Sequence, residues 1–209
     1  APRAADDTPL AQQRLVVLDL ETSGLDLKRD QVLSIGAVVI DGGAIQLGEQ
    51  FECTLQRDGH PVSASVLIHG LAPSAIAAGI EPAEALLAFM EFLGDSPLLA
   101  FHAGFDQRML ARALKDTLNL RLRHPFYDVA ELAPMLCPQA EIRNGGLDDW
   151  TAYFGLQVGQ RHHASADALV TAELALILFS RARKQQADSL KALEQRLKSW
   201  RQRLQGHSL

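Results

Sequence analysis

The sequence predicts an α/β fold, a mixed sheet covered by helices, and three observations lead there. Strand-like segments come first, short apolar strands then alternate with helix-period segments, and no linker or internal repeat divides the body. A chain of 209 residues that is 47% hydrophobic has the material for one domain with a substantial core.

The elements follow in order. Residues 1–13 are polar and Pro-containing and read as a flexible N-terminal segment. Leu15 to Leu18 is a continuous apolar run, the pattern of a buried strand, and it ends at Asp19 and Glu21. Val32 to Ile40 reads as a second strand that turns at Asp41-Gly42-Gly43, a hairpin signal, into a third over Ile45 to Leu55. Ala85, Leu86, Phe89, Met90 and Leu93 recur at helical spacing within Glu81 to Leu93, and Pro97 to Phe101 is a short buried strand. A helix over Phe105 to Leu118, a strand over Phe126 to Asp128 and a helix over Val129 to Leu136, stopped by Pro138, come next. Leu147 to Phe154 is a further short helix, and Ala164 to Arg183 a long one. Beyond it, Leu190, Leu193, Leu197, Trp200 and Leu204 form an apolar seam among basic residues, so 184–209 reads as a basic amphipathic C-terminal helix. Two readings are open for that helix. It folds back on its own domain, or it serves a partner: a second copy, a larger protein, or a nucleic-acid backbone.

Charge restricts the function classes. The net charge is −5, yet residues 181–209 carry eight Lys and Arg against two acids, which leaves −11 on residues 1–180. An acidic body does not hold a polyanion by bulk electrostatics, so any nucleic-acid site in it needs local cations. No stretch approaches the roughly 20 apolar residues of a membrane span. Cys53 and Cys137 lie far apart without metal-ligand spacing and read as free apolar fillers, so a cytoplasmic location is expected.

Chemistry concentrates where elements change. In a strand, residues i and i+2 share a face roughly 6.5 to 7 Å apart, so Asp19 and Glu21 could share one metal ion while Leu20 packs on the other side. Asp106 opens a helix just after a buried strand, and His162-His163 precede Asp167, which opens the long helix. Alone, each helix-start acid has a structural explanation, because it complements the macrodipole. Asp128 reads as a helix N-cap, and Asp148 and Asp149 as first-turn helix acids.

Together these residues make four carboxylates and a histidine in a set order, and this resembles the DEDDh family of 3′→5′ exonucleases. Asp19-Leu20-Glu21-Thr22-Ser23-Gly24-Leu25 resembles the family's first motif, His102 to Asp106 the second, and His162 to Asp167 the third, with four residues between base and acid. Ile68-His69-Gly70-Leu71 resembles a segment between the first two, and the likeness covers about residues 14 to 180, so 14–183 is expected to be the exonuclease domain. The resemblance implies a ribonuclease-H-like, five-stranded mixed sheet and two Mg²⁺ or Mn²⁺ ions held by Asp19, Glu21, Asp106 and Asp167, with His162 as general base. It also implies that Leu20, Thr22, Ser23, Gly24, Leu25, His69, Phe105 and His162 face the substrate. One departure stands out: many family members have Asn after the second-motif His, where this chain has Ala103-Gly104.

The implied chemistry suits the residue types. Four carboxylates within ~4 Å repel by roughly 1 to 4 kcal/mol per pair, which divalent cations relieve. Hard oxygen ligands select Mg²⁺ or Mn²⁺, and a histidine with an unperturbed pKa near 6.5 suits proton removal. The expected activity is release of nucleoside 5′-monophosphates from the 3′ end of DNA, single-stranded ends being preferred. An oligoribonuclease-like or RNA-trimming activity is the enzymatic alternative, and a nucleic-acid-binding or docking module that keeps the fold is the non-enzymatic one.

Overall fold

The computed structural model describes residues 1–57, 73–159 and 161–207. β1 (Arg14–Thr22) runs through the middle of the sheet, and its Leu15, Val16, Val17 and Leu18 are at most 1% exposed. It pairs antiparallel with β2 (Val32–Asp41), and β2 pairs antiparallel with β3 (Ala44–Thr54). The hairpin between them turns at Gly42 and Gly43, both at positive φ (63° and 76°), a backbone that matches the twist of the flanking strands. On its other side β1 pairs parallel with β4 (Leu98–Ala100), and β4 with β5 (Phe126–Asp128), so the order is β3-β2-β1-β4-β5. This is the expected mixed five-stranded sheet.

Seven α-helices lie among the described residues: α1 (Pro73–Ala77), α2 (Pro82–Leu93), α3 (Ala103–Leu118), α4 (Val129–Leu136), α5 (Leu147–Tyr153), α6 (Ala164–Lys184) and α7 (Leu190–Gly206). The two-residue period of β1 divides them into layers. Leu15 and Val17 join a core with α4, α5, α6 and α7, whereas Val16, Leu18 and Leu20 join a second core with α2 and α3. Asp19 and Glu21 are in phase with Leu15 and Val17. They therefore emerge from the C-terminal end of β1 on the side covered by α6.

Two expectations about the chain ends resolve here. The segment 1–13 does not lie loose: Leu10 is 1% exposed, its N–H donates to Asp188, and the Arg3 and Lys191 N–H groups donate to the Asp95 and Asp6 carbonyls. Burial of Leu10 outweighs the polar composition around it. α7 folds back on its own body, with Leu190, Leu193 and Leu197 at most 3% exposed in the α4–α6 core. The Tyr127 hydroxyl donates to Glu194 at 2.7 Å, and the Arg201 guanidinium grips Glu131 through two 2.7 Å bonds. No helix among the described residues is long and apolar enough to cross a membrane.

Candidate active site

Asp19 and Glu21 from β1 and Asp167 from the first turn of α6 each offer a ligand oxygen, and these atoms lie within 4.8 Å of one another. What brings α6 so close is Gly36, the β2 residue paired with Asp19. A Cβ there would stand 2.3 Å from the Ala164 carbonyl carbon and 2.5 Å from the Ser165 nitrogen. Asp106, on the first turn of α3, meets the site from another direction. Its Oδ1 accepts the Leu20 N–H at 3.3 Å, outside the three-carboxylate group.

Crowding and burial raise the proton affinity of Asp19, Glu21 and Asp106. Burial, and then the neighbouring Asp106, Glu21 and Asp167, lift the Asp19 carboxyl well above its usual range. Burial and then the Asp167 charge push Glu21 up to about 8, and Asp106 is raised chiefly by burial. Asp19 Oδ2 is buried without a hydrogen-bond partner. A buried orphan oxygen beside two further carboxylates is a donor set that a hard divalent cation fits.

One cation is built into the chain. Arg161 donates from Nη1 to Asp167 at 2.6 Å and from Nε and Nη2 to Asp148 at 2.5 and 3.3 Å, so it ties α5 to the acid cluster. Its charge also lowers the proton affinity of Asp19 and Glu21. His162 stands next to it at φ 63°, exposed ahead of the helix, its N–H donating to Asp167 Oδ2 at 3.2 Å. His163 faces elsewhere, with Nδ1 3.7 Å from Glu52 of β3.

A sequence model of the exonuclease family, RNase_T, matches residues 16–175, and all of the geometry above lies within it. The chain belongs to this exonuclease family. It is 33% identical over 172 residues to a DNA polymerase III PolC-type protein of Thermotoga maritima, an alignment covering 82% of this chain and 12% of that one. It is also 33% identical over 181 residues to a DNA polymerase III subunit epsilon-like protein of Rhodobacter capsulatus, covering 84% and 25%. The chain thus spans a small part of the length of these relatives. Among solved structures, Escherichia coli Exonuclease I with a dT13 oligonucleotide superposes with a TM-score of 0.69 at 19% identity, covering 83% of this chain and 42% of that one. That likeness carries the fold.

Of the residues expected to face substrate, the Thr22 to Leu25 turn is held by its own bonds. Thr22 Oγ1 donates to the Gly24 carbonyl at 2.8 Å, Ser23 Oγ donates to Asp30 at 2.9 Å, and Asp30 would collide with any Cβ on Gly24. Leu25 stands out at its tip, 85% exposed. Phe105 is half-buried against the α2–α3 core, and His69 lies outside the described residues. His102 adopts a left-handed conformation, its N–H donating at 2.9 Å to Asp128, which also caps α4 through the Ala130 N–H. Asp128 is thus the expected N-cap and also fixes the start of the Asp106 helix. Asp148 and Asp149 both lie in the first turn of α5, as expected; Asp149 accepts the Gly146 N–H at 2.8 Å, and Asp148 also pairs with Arg161. Sequence reasoning passed over Arg161, whose partners are 6 and 13 residues away in the chain; an arginine beside a motif histidine in an acidic body was the available signal.

Three predictions arise from this geometry. Gly36→Ala should displace the first turn of α6, cost about 1–3 kcal/mol of stability by overpacking and weaken Mn²⁺ binding, read by thermal melting and calorimetric titration. Wild-type affinity for Mn²⁺ would overturn it. Arg161→Gln should lower the stability of the metal-free protein by about 1.5–3 kcal/mol, the range for hydrogen bonds to charged groups, and enlarge the gain in melting temperature on adding Mg²⁺. A metal-free variant melting at or above wild type would contradict it. Third, the upward shifts of Asp19, Asp106 and Glu21 mean that the folded, metal-free protein keeps protons that the unfolded chain releases. Their contribution to stability is therefore full below the ordinary carboxylate range and declines as pH rises towards about 8. Melting in EDTA at pH 5 and pH 8 should show that decline, flattened in Asp19→Asn; an identical slope in the variant would refute the assignment.

Proposed function

We propose that this chain is a two-metal-ion 3′→5′ exonuclease that hydrolyses the terminal phosphodiester of single-stranded DNA and releases nucleoside 5′-monophosphates. The observation that carries the reading is the convergence of Asp19, Glu21 and Asp167, with an exposed His162 on the loop bonded to Asp167. Relatives named as DNA polymerase III proteins support DNA as the substrate. Two Mg²⁺ or Mn²⁺ ions held by Asp19, Glu21, Asp106 and Asp167 would neutralise the acids and stabilise the attacking and leaving oxygens of an in-line phosphoryl displacement.

The chain's own residues do the rest. Leu25 presents an apolar surface to the terminal base, and the Thr22–Gly24 backbone meets the 3′-hydroxyl. His162 swings over the scissile phosphate and takes the proton of the attacking water. Arg161 yields Asp167 and keeps Asp148, so the loop stays anchored to α5. Leu20 lends its backbone N–H to Asp106 and so fixes that acid against β1.

Incubation with 5′-labelled single-stranded DNA, duplex DNA and RNA of one sequence, in EDTA, Mg²⁺ or Mn²⁺, tests the reading. Stepwise shortening from the 3′ end with mononucleotide release is expected, fastest on single-stranded DNA and absent in EDTA. Absence of cleavage in both metals, or shortening from the 5′ end, would overturn it. Equal or faster cleavage of RNA would move the assignment to RNA trimming.

A further inference from the structure

A groove of about 790 Å³ is lined by His102 and Asp128, by Arg143, and by Trp200 and Arg203 of α7. The groove adjoins the chemistry, because Asp128 fixes the residue that begins the Asp106 helix and its charge reaches Asp106. Its carboxylates are already engaged: Glu131 by Arg201, and Asp128 by the N–H groups of His102 and Ala130. Its arginines are not, since Arg143 and Arg203 make no ion pair among the described residues. Trp200 is half-buried on the wall, and its ring stacks on no other aromatic among the described residues. Uncommitted arginines beside an open indole are the chemistry of a single-stranded nucleic-acid path: cations track the phosphates and the ring stacks on any base. Residues 200–207 also lie beyond the family match at 16–175, so this wall is an addition to the shared domain.

We infer that this groove is the track for the nucleotides 5′ of the scissile linkage, with Trp200 stacking on a base and Arg143 and Arg203 on the backbone phosphates. The inference rests on the exonuclease reading for the strand's direction. Through this contact the basic C-terminal helix supplies, inside an otherwise acidic molecule, the attraction that the catalytic acids lack.

Truncation of α7 is unsuitable as a test, because Leu190, Leu193 and Leu197 fill the core. Instead, Trp200→Ala and the double variant Arg143→Glu/Arg203→Glu, made in the full chain, are compared with Lys198→Glu, an exposed charge on α7 outside the groove. Fluorescence anisotropy measures binding of a labelled 12-nucleotide oligothymidylate in EDTA, where nothing is cleaved. Kinetics in Mg²⁺ then compare that 12-mer with a trinucleotide. Both groove variants should bind the 12-mer about tenfold more weakly, and the advantage of the 12-mer over the trinucleotide in kcat/KM should shrink by a similar factor. The double variant should also lose about 1.4 from the slope of log affinity against log salt, at ~0.7 per phosphate contact. Lys198→Glu should match wild type within twofold. Wild-type affinity and salt slope in the arginine variant, or an equal loss in Lys198→Glu, would overturn the track whatever Trp200→Ala shows. The anisotropy readout does not depend on turnover, so a wild-type protein that binds the 12-mer through the groove but cleaves nothing would fail the exonuclease reading alone.

Discussion

Asp19→Asn should abolish nuclease turnover while raising the melting temperature of the metal-free protein. The two effects have one cause. Asp19 is half-buried among Glu21, Asp106 and Asp167, and its buried Oδ2 has no partner, so without a cation its carboxyl is held uphill of its normal titration. An amide carries no charge to repel its neighbours. Relief of about 1 kcal/mol, the lower end for a carboxylate pair ~4 Å apart, corresponds to roughly 2–4 °C for a chain of this size. On the proposed function the same change removes a metal ligand, and metal charge stabilisation is worth several kcal/mol in the transition state, so a fall of at least ~10³ in turnover is expected. Calorimetry in EDTA and single-turnover cleavage in saturating Mg²⁺ measure the pair. A metal-free variant melting well below wild type, or turnover within tenfold of it, would break the link between strain and catalysis. Wild type should gain melting temperature on adding millimolar Mg²⁺, and Asp19→Asn should gain much less.

His162→Ala should lower kcat by about 10², the contribution of a general base, and leave metal-induced stabilisation intact, whereas His163→Ala should stay near wild type. The two histidines are adjacent, so composition cannot separate them. Their surroundings do: His162 lies exposed on the loop next to Arg161 and donates its backbone N–H to Asp167, while the His163 ring lies near Glu52. A residue on that loop can move over a bound phosphate without dragging α6 with it. Single-turnover rates at saturating Mg²⁺ decide the ranking, and its reversal would transfer the role to His163.

Much of this molecule was legible in its sequence, and the reasons are local. The two-residue period of Arg14 to Thr22 separates the faces of β1, so Asp19 and Glu21 share the α6 side and Leu20 the other. Gly42-Gly43 marks the hairpin because few other residues tolerate two successive positive φ values. Asp128 and Asp149 announce helix starts because an acceptor is required there. With helical spacing for the remaining elements, this is enough for the five-stranded sheet and its covering layers.

What stayed hidden depends on segments meeting across the fold. Arg161 could have been one more solvated cation; only the docking of α5 beside the start of α6 supplies Asp148 and Asp167 together. Gly36 looks like an ordinary strand glycine until α6 is laid against it. The apolar seam of α7 fits a coiled coil and a fold-back helix equally well, because both bury the same stripe; the exposed flank of α4–α6 decided between them. The polar 1–13 segment is likewise secured by Asp188 and by the Lys191 N–H, more than 170 residues away in sequence. The sequence by itself determined the strands, the helix starts and the order of the clustered acids, because periodicity, capping and motif spacing are properties of contiguous residues. Tertiary structure alone decided which cation meets which acid, which histidine binds Asp167 through its backbone and where the basic helix lies, because those depend on distances between residues that the chain keeps far apart.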